Sequence, residues 1–252
     1  MTSSLPPTLA LLLWLLAAPV MGAETGTGYR ALEQAVAAEP QPTVALDLAR
    51  HFIADNPDHE PARLLAARLA LLSDQPIAAL GLLAPLLTAS QQDWQPWFWA
   101  GTAYLAQGEV QLARTQLNRA LQRGSDRAVV WNQIAVLEQE IGNHGGALTH
   151  LEIALEIDPA FATGYLNRAY SLEHLGRFDQ ALAAYRTYLT QPTQGPRSEH
   201  ARVINRIQEL SARLATLAAR AEAGARVEET VKPGGTRSRG ASASAADSAG
   251  DS

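Results

Sequence analysis

Residues 128–161 read AVVWNQIAVLEQEIGNHGGALTHLEIALEIDPAF, and the same skeleton stands 34 residues earlier and 34 residues later. Trp97, Gly101, Tyr104, Gly108, Ala113, Leu117 and Ala120 become Trp131, Ala135, Glu138, Gly142, Ala147, Leu151 and Ala154. One period further on they become Tyr165, Ala169, Leu172, Gly176, Ala181, Tyr185 and Tyr188. A fixed period of this length marks a stack of supersecondary units. Each period holds two amphipathic stretches of about a dozen residues, the length at which helices become plausible. Gly108, Gly142 and Gly176 fall between the two stretches, where a left-handed residue ends a helix without a Cβ penalty. Pro159 cannot continue a helix and marks the turn into the next unit. The fold class is therefore all-α. A single hairpin cannot bury its apolar face alone, but stacked hairpins can.

The pattern resembles a tetratricopeptide repeat. With Pro159 at position 32, repeats begin at Trp94, Ala128 and Ala162, and span 94–127, 128–161 and 162–195. Two weaker units precede them in phase, 60–93 and 26–59. The second unit has Ala67, Ala79 and Leu83 in register but Arg63 where a large apolar residue is usual. The first has Tyr29, Ala45 and Pro57 in register but Glu33 at a small-residue position, and Pro40 and Pro42 at its turn. Glu138 stands where the family favours a large apolar residue. The resemblance implies a right-handed superhelical stack of antiparallel helix pairs over residues 24–195, of about five repeats.

Flanking segments read differently. Leu9–Leu16 is an apolar run followed by small residues and Pro19, and residues 1–23 read as a secretory signal peptide, cut after Gly22 or Ala23. The run is short for a bilayer span, and no Lys or Arg precedes it. Without cysteine the chain has no lipoprotein attachment, disulfide or thiolate metal site. The expected location is a bacterial periplasm, with membrane attachment only through an uncleaved leader. After the Pro/Gly linker, residues 196–224 read as a long helix from Ser198 to Gly224. In it Val203, Ile207, Leu210, Leu214, Leu217 and Ala221 form a seam in steps of four and three. This helix either caps the last hairpin or dimerises the chain. Residues 225–252, rich in Gly, Ser and Ala, read as disordered.

Chemistry is not indicated. The six histidines show no His-Glu-x-x-His pairing. No phosphate loop or nucleophile elbow is present, and a net charge of −5 disfavours nucleic acid. No catalytic residue, metal site, cofactor or small-molecule substrate is expected, and the chain is not expected to be an enzyme.

The resemblance places the first helix of each hairpin on the concave side. Carried over position by position, the candidate partner-binding residues are Phe98, Thr102 and Leu105, then Asn132, Val136 and Gln139, then Leu166, Asn167, Tyr170 and Glu173. Apolar members would anchor a segment, and the two asparagines could hydrogen-bond its backbone. Groove positions of the last three units carry no Lys or Arg, so capture of a terminal carboxylate is not expected. The expected function is a scaffold or adaptor of the cell envelope for a protein or peptide partner, for instance in pilus, secretion or cell-wall assembly. The alternative is a structural homodimer joined through the C-terminal helix.

Overall fold

The structure is a computed structural model that describes residues 27–89, 92–192 and 197–231. The expected leader, residues 1–23, lies outside the described residues. Eleven α-helices and no strand occur among the described residues. They are α1 (Thr27–Ala38), α2 (Pro42–Asp55), α3 (Glu60–Leu72), α4 (Pro76–Ala89), α5 (Gln95–Ala106), α6 (Val110–Arg123), α7 (Ala128–Glu140), α8 (His144–Ile157), α9 (Ala162–His174), α10 (Phe178–Thr190) and α11 (Arg197–Val231). Five hairpins follow one another with the 34-residue offset, so the period in the sequence is the period of the fold.

The turn inside each hairpin explains that regularity. Gly142 has φ +77 and its N–H donates to the Gln139 carbonyl at 2.9 Å, while the Asn143 N–H reaches the Glu138 carbonyl at 2.8 Å. These two bonds close the helix end in a Schellman arrangement. Gly108 and Gly176 repeat it at φ +75 and +73. In the second unit Asp74 holds the equivalent place at φ 56, a conformation that costs a residue with a Cβ. Pro40 stands there in the first unit and cannot adopt positive φ.

Small residues set the distance between the helices of a hairpin. A Cβ built on Gly101 would lie 2.6 Å from Leu117 Cγ, so α5 and α6 touch backbone to side chain. Ala135, Ala147 and Leu151 form the matching buried contact between α7 and α8. One apolar cluster runs from Tyr29 in α1 to Leu137 in α7. Each second helix also packs on the first helix of the next unit, and successive first helices α3, α5, α7 and α9 touch one another. Among the described elements, second helices meet each other at most marginally. A layer joined more closely on one side must curve, which puts the first helices on the inside.

Glu138, the residue out of pattern, is buried and ion-paired. Its carboxylate takes Arg114 Nη1 at 3.0 Å and Asn143 Nδ2 at 2.7 Å. A helix-to-helix pair and a bond to the turn thus stand where an apolar side chain would pack.

The chain divides into two compact units, one up to Ser211 and the other from Ala212. In the first, α11 begins as the closing helix of the array. Val203 and Leu210 are buried, and Arg206 pairs with Glu173 of α9 through Nε at 3.0 Å and through Nη2. In the second, Leu214 is half-buried and Leu217 exposed. The expected stop at Gly224 is corrected, because the helix runs to Val231. One interior glycine costs only about 1 kcal/mol against alanine, and the residues after it are mostly good helix formers. Of the tail expected to be disordered, 225–231 is thus helical, and the remainder lies outside the described residues.

Candidate functional site

The inner helices present four rows of residues at 34-residue steps. One row is Leu64, Phe98, Asn132 and Leu166; the next is Arg68, Thr102, Val136 and Tyr170; a third is Leu71, Leu105, Gln139 and Glu173; the fourth is Leu65, Trp99, Gln133 and Asn167. Helical spacing carries each row on one face of its helix. The face is mainly apolar at the second and third hairpins, apart from Arg68 and Thr102, and more polar at the fourth and fifth.

Seven of the ten expected partner-binding residues are buried, namely Phe98, Thr102, Leu105, Asn132, Val136, Gln139 and Asn167. Phe98, expected to be an apolar side chain the core does not need, is wholly inaccessible. It meets Trp94 and Trp99 edge-on at 5.5 and 4.9 Å between centroids. Leu105 and Val136 belong to the same continuous cluster. The open apolar strip expected at these three positions is therefore absent from this structure, where their side chains lie beneath the surface. The Thr102 hydroxyl donates back to the Phe98 carbonyl at 3.0 Å.

The polar positions form a ladder between units. Asn167 Nδ2 donates to Asn132 Oδ1 at 2.8 Å, and Gln139 Nε2 donates to the Asn167 carbonyl at 2.9 Å and to Ser171 Oγ at 2.7 Å. The two asparagines expected to serve a peptide backbone thus join α7 to α9. The ladder leaves Asn132 Nδ2, Gln133 Oε1 and Gln139 Oε1 buried without a hydrogen bond. Such groups favour a partner strongly, because burial removes the competing water.

Leu166, Tyr170 and Glu173 are half-buried. Tyr170 lies 4.3 Å from His174 and 5.8 Å from His144, and the two imidazoles stack at 4.3 Å. Burial, with the charge of Glu140, pushes the Tyr170 hydroxyl up, and burial, with the neighbouring His174, pushes His144 down. Glu173, expected among the partner-binding residues, is engaged by Arg206 and by the Tyr185 hydroxyl at 3.2 Å. Its charge is committed to closing the array.

Sequence reasoning overlooked Arg68. It lies one period before Thr102, and the same groove assignment applied to the second unit would have found it. Its side chain is 7 % exposed, its Nε and Nη2 make no hydrogen bond, and its guanidinium stands 5.5 Å from the Trp99 ring centroid. Burial lowers its pKa to about 10, with the nearby Tyr29 acting in the opposite direction. Among the described residues no group of three or more His, Asp or Glu could hold a metal ion, and no helix is long and apolar enough to cross a membrane.

Comparison with protein families matches residues 64–128 and 133–197, just over half of the chain, to the tetratricopeptide repeat. The chain belongs to the tetratricopeptide repeat family. That fold is a non-catalytic scaffold suited to protein–protein interaction. Among solved structures, a thermophilic tetratricopeptide protein of Thermus thermophilus, TTC0263, is similar with a TM-score of 0.63 and 21% identity, covering 73% of this chain and 96% of that one. The Cut9–Hcn1 hetero-tetramer gives 0.62 at 15% identity, covering 73% and 39%, and MamA gives 0.52 at 17%, covering 66% and 95%. Protein FlbA of Caulobacter vibrioides is 28% identical over 141 residues, 54% of this chain. The chain spans 23% of that relative's length. At these identities the solved structures establish the tetratricopeptide fold alone.

Proposed function

We propose that this tetratricopeptide protein is a non-enzymatic adaptor of the bacterial cell envelope, holding a segment of a protein partner on its inner face. The observation that carries the reading is the set of unanswered polar groups on that face. Arg68, Asn132, Gln133 and Gln139 all lie in its rows, and each carries a donor or acceptor without a bond. The partly accessible Leu166 and Tyr170 in the same rows would bury area, and the polar groups would fix register. The leader-like residues 1–23 favour a periplasmic setting, and participation in a pilus, secretion or cell-wall assembly rests on analogy.

Site-specific photocrosslinking in the native cell tests this. A benzoylphenylalanine at Leu166 or Tyr170, both partly accessible, is expected to give one defined protein adduct. The same probe at Leu112, exposed on α6, is expected to give none. Equal labelling from the two faces, or none from either, would refute the inner-face reading. Phe98 is a poor probe site, since truncating a buried Phe costs about 3–5 kcal/mol by itself.

A second reading is a homodimer through α11, favoured by the exposed Leu217 on the heptad seam. Light scattering after size exclusion decides it: a dimer lost on truncation after Ser211 supports it, and a monomer at all concentrations rejects it.

A further inference from the structure

We propose that Arg68 receives a side-chain carboxylate of the partner segment on the inner face. The proposal rests on the adaptor reading and supplies the partner's chemistry, an acidic residue.

Arg68 shares its row with Thr102, Val136 and Tyr170. The residue is buried, and its place in this row puts it on the side of α3 that carries the inner-face positions. Nε and Nη2 are both buried without a hydrogen bond. These nitrogens form one edge of the planar group, and their N–H bonds run nearly parallel. Two parallel donors match the two oxygens of a carboxylate, a fit that lysine cannot reproduce. The Trp99 ring packs against the guanidinium and helps fix its orientation, leaving that edge to be answered. An aromatic contact offsets only a minor share of what desolvating a charge costs. No ion pair answers the charge among the described residues. The Tyr29 hydroxyl nearby donates instead to the Pro61 carbonyl at 3.4 Å. Leu64 and Leu71 stand one turn away on either side of Arg68 on α3 and are buried with it.

The experiment follows the Arg68 Nε–H signal in a ¹H–¹⁵N correlation spectrum of the full chain, assigned by its loss in Arg68→Met. The probes are acetyl-Leu-Glu-Leu-amide, the same peptide with Gln for Glu, and acetyl-Leu-Leu with a free C-terminus. The expected result is a shift with the Glu peptide at least tenfold tighter than with the Gln peptide, and only a weak response to the free C-terminus. Arg68→Met is expected to melt at or above the wild-type temperature and to lose the Glu-over-Gln preference, and Arg68→Lys to keep only part of it. Equal response to Glu and Gln, no response to either, or a stronger response to the free C-terminus would overturn the proposal. So would a marked fall in the melting temperature of Arg68→Met, since the residue would then be structural. Defined adducts at Tyr170 with no Glu preference would remove the carboxylate and leave the adaptor. A Glu preference without adducts in the cell would remove the adaptor and leave the site.

Discussion

Replacing one glycine by alanine should stabilise one helix of this chain and fail to stabilise another. Gly81 lies in α4 with nothing within 4 Å of the place a Cβ would occupy. Gly81→Ala should therefore show the full gain in helix propensity, about 1 kcal/mol. Gly101 lies in α5, where the new Cβ would sit 2.6 Å from Leu117 Cγ, 2.8 Å from its Cδ2 and 3.3 Å from its backbone nitrogen. Leu117 is buried, and its Cγ is not the free end of a flexible chain. Overpacking of this kind costs about 1–3 kcal/mol, which outweighs the same propensity gain or at best cancels it. Urea denaturation followed by far-UV circular dichroism should raise the midpoint for Gly81→Ala and lower it or leave it unchanged for Gly101→Ala. Adding Leu117→Ala to Gly101→Ala should recover part of the loss, a coupling a double-mutant cycle can isolate. If Gly101→Ala is as stabilising as Gly81→Ala, the close approach of α5 and α6 is not the reason for that glycine, and the account of hairpin packing fails.

Other expectations follow from the turns and the titrating groups. Gly142→Ala should cost about 1–2 kcal/mol in a urea melt because φ there is +77, whereas Asp74→Gly should stabilise by up to about 1 kcal/mol. Glu138→Ala should lose about 1–3 kcal/mol through the orphaned Arg114 and Asn143 contacts, discounted because Arg114 is partly exposed; Glu138→Leu, which restores the pattern of the neighbouring units, should lose less. Burial raises Tyr185 and Tyr188 to about 12 from a usual 10.0, so their stabilisation is full below pH 10 and is lost as pH climbs toward 12. Thermal melts should fall over that window, and Tyr185→Phe should flatten the fall. Burial depresses His144 and His150, so their stabilisation is present above the usual 6.5 and is lost as pH falls below it. His150→Gln should blunt a decline in melting temperature between pH 7 and 5.

The period, the turn glycines and the small residues between helices were legible because each is a local requirement repeated in register. The two weak units also folded in phase. Of their departures, Arg63 and Glu33 lie within helices and Pro40 lies at the turn, and both hairpins still form. The inner face was less legible. Position alone put Asn132, Gln139 and Asn167 on it, but hydrogen bonding between units depends on which side chains meet across a helix boundary. Glu138 and Glu173 looked anomalous or free until Arg114 and Arg206, distant in sequence, were placed beside them. Arg68 is harder to read because its unit departs from the repeat at Arg63, which blurs the register that marks groove positions. Gly224 misled because a glycine near the end of a run and a glycine within it look alike in sequence.

The closure of the last hairpin has a consequence for assembly. In a row of hairpins, one end is shaped to receive what the other end presents, a heterologous contact that does not close on itself and extends into filaments. Here Arg206 takes Glu173, while Val203 and Leu210 are buried where α11 begins. The first turns of α11 thus occupy the place a further hairpin, from this chain or another copy, would need. Removing that contact by Arg206→Ala with Val203→Asp would uncover a terminus whose natural complement is the start of the same array. The closing helix, on this view, sets the number of units and keeps each molecule finite.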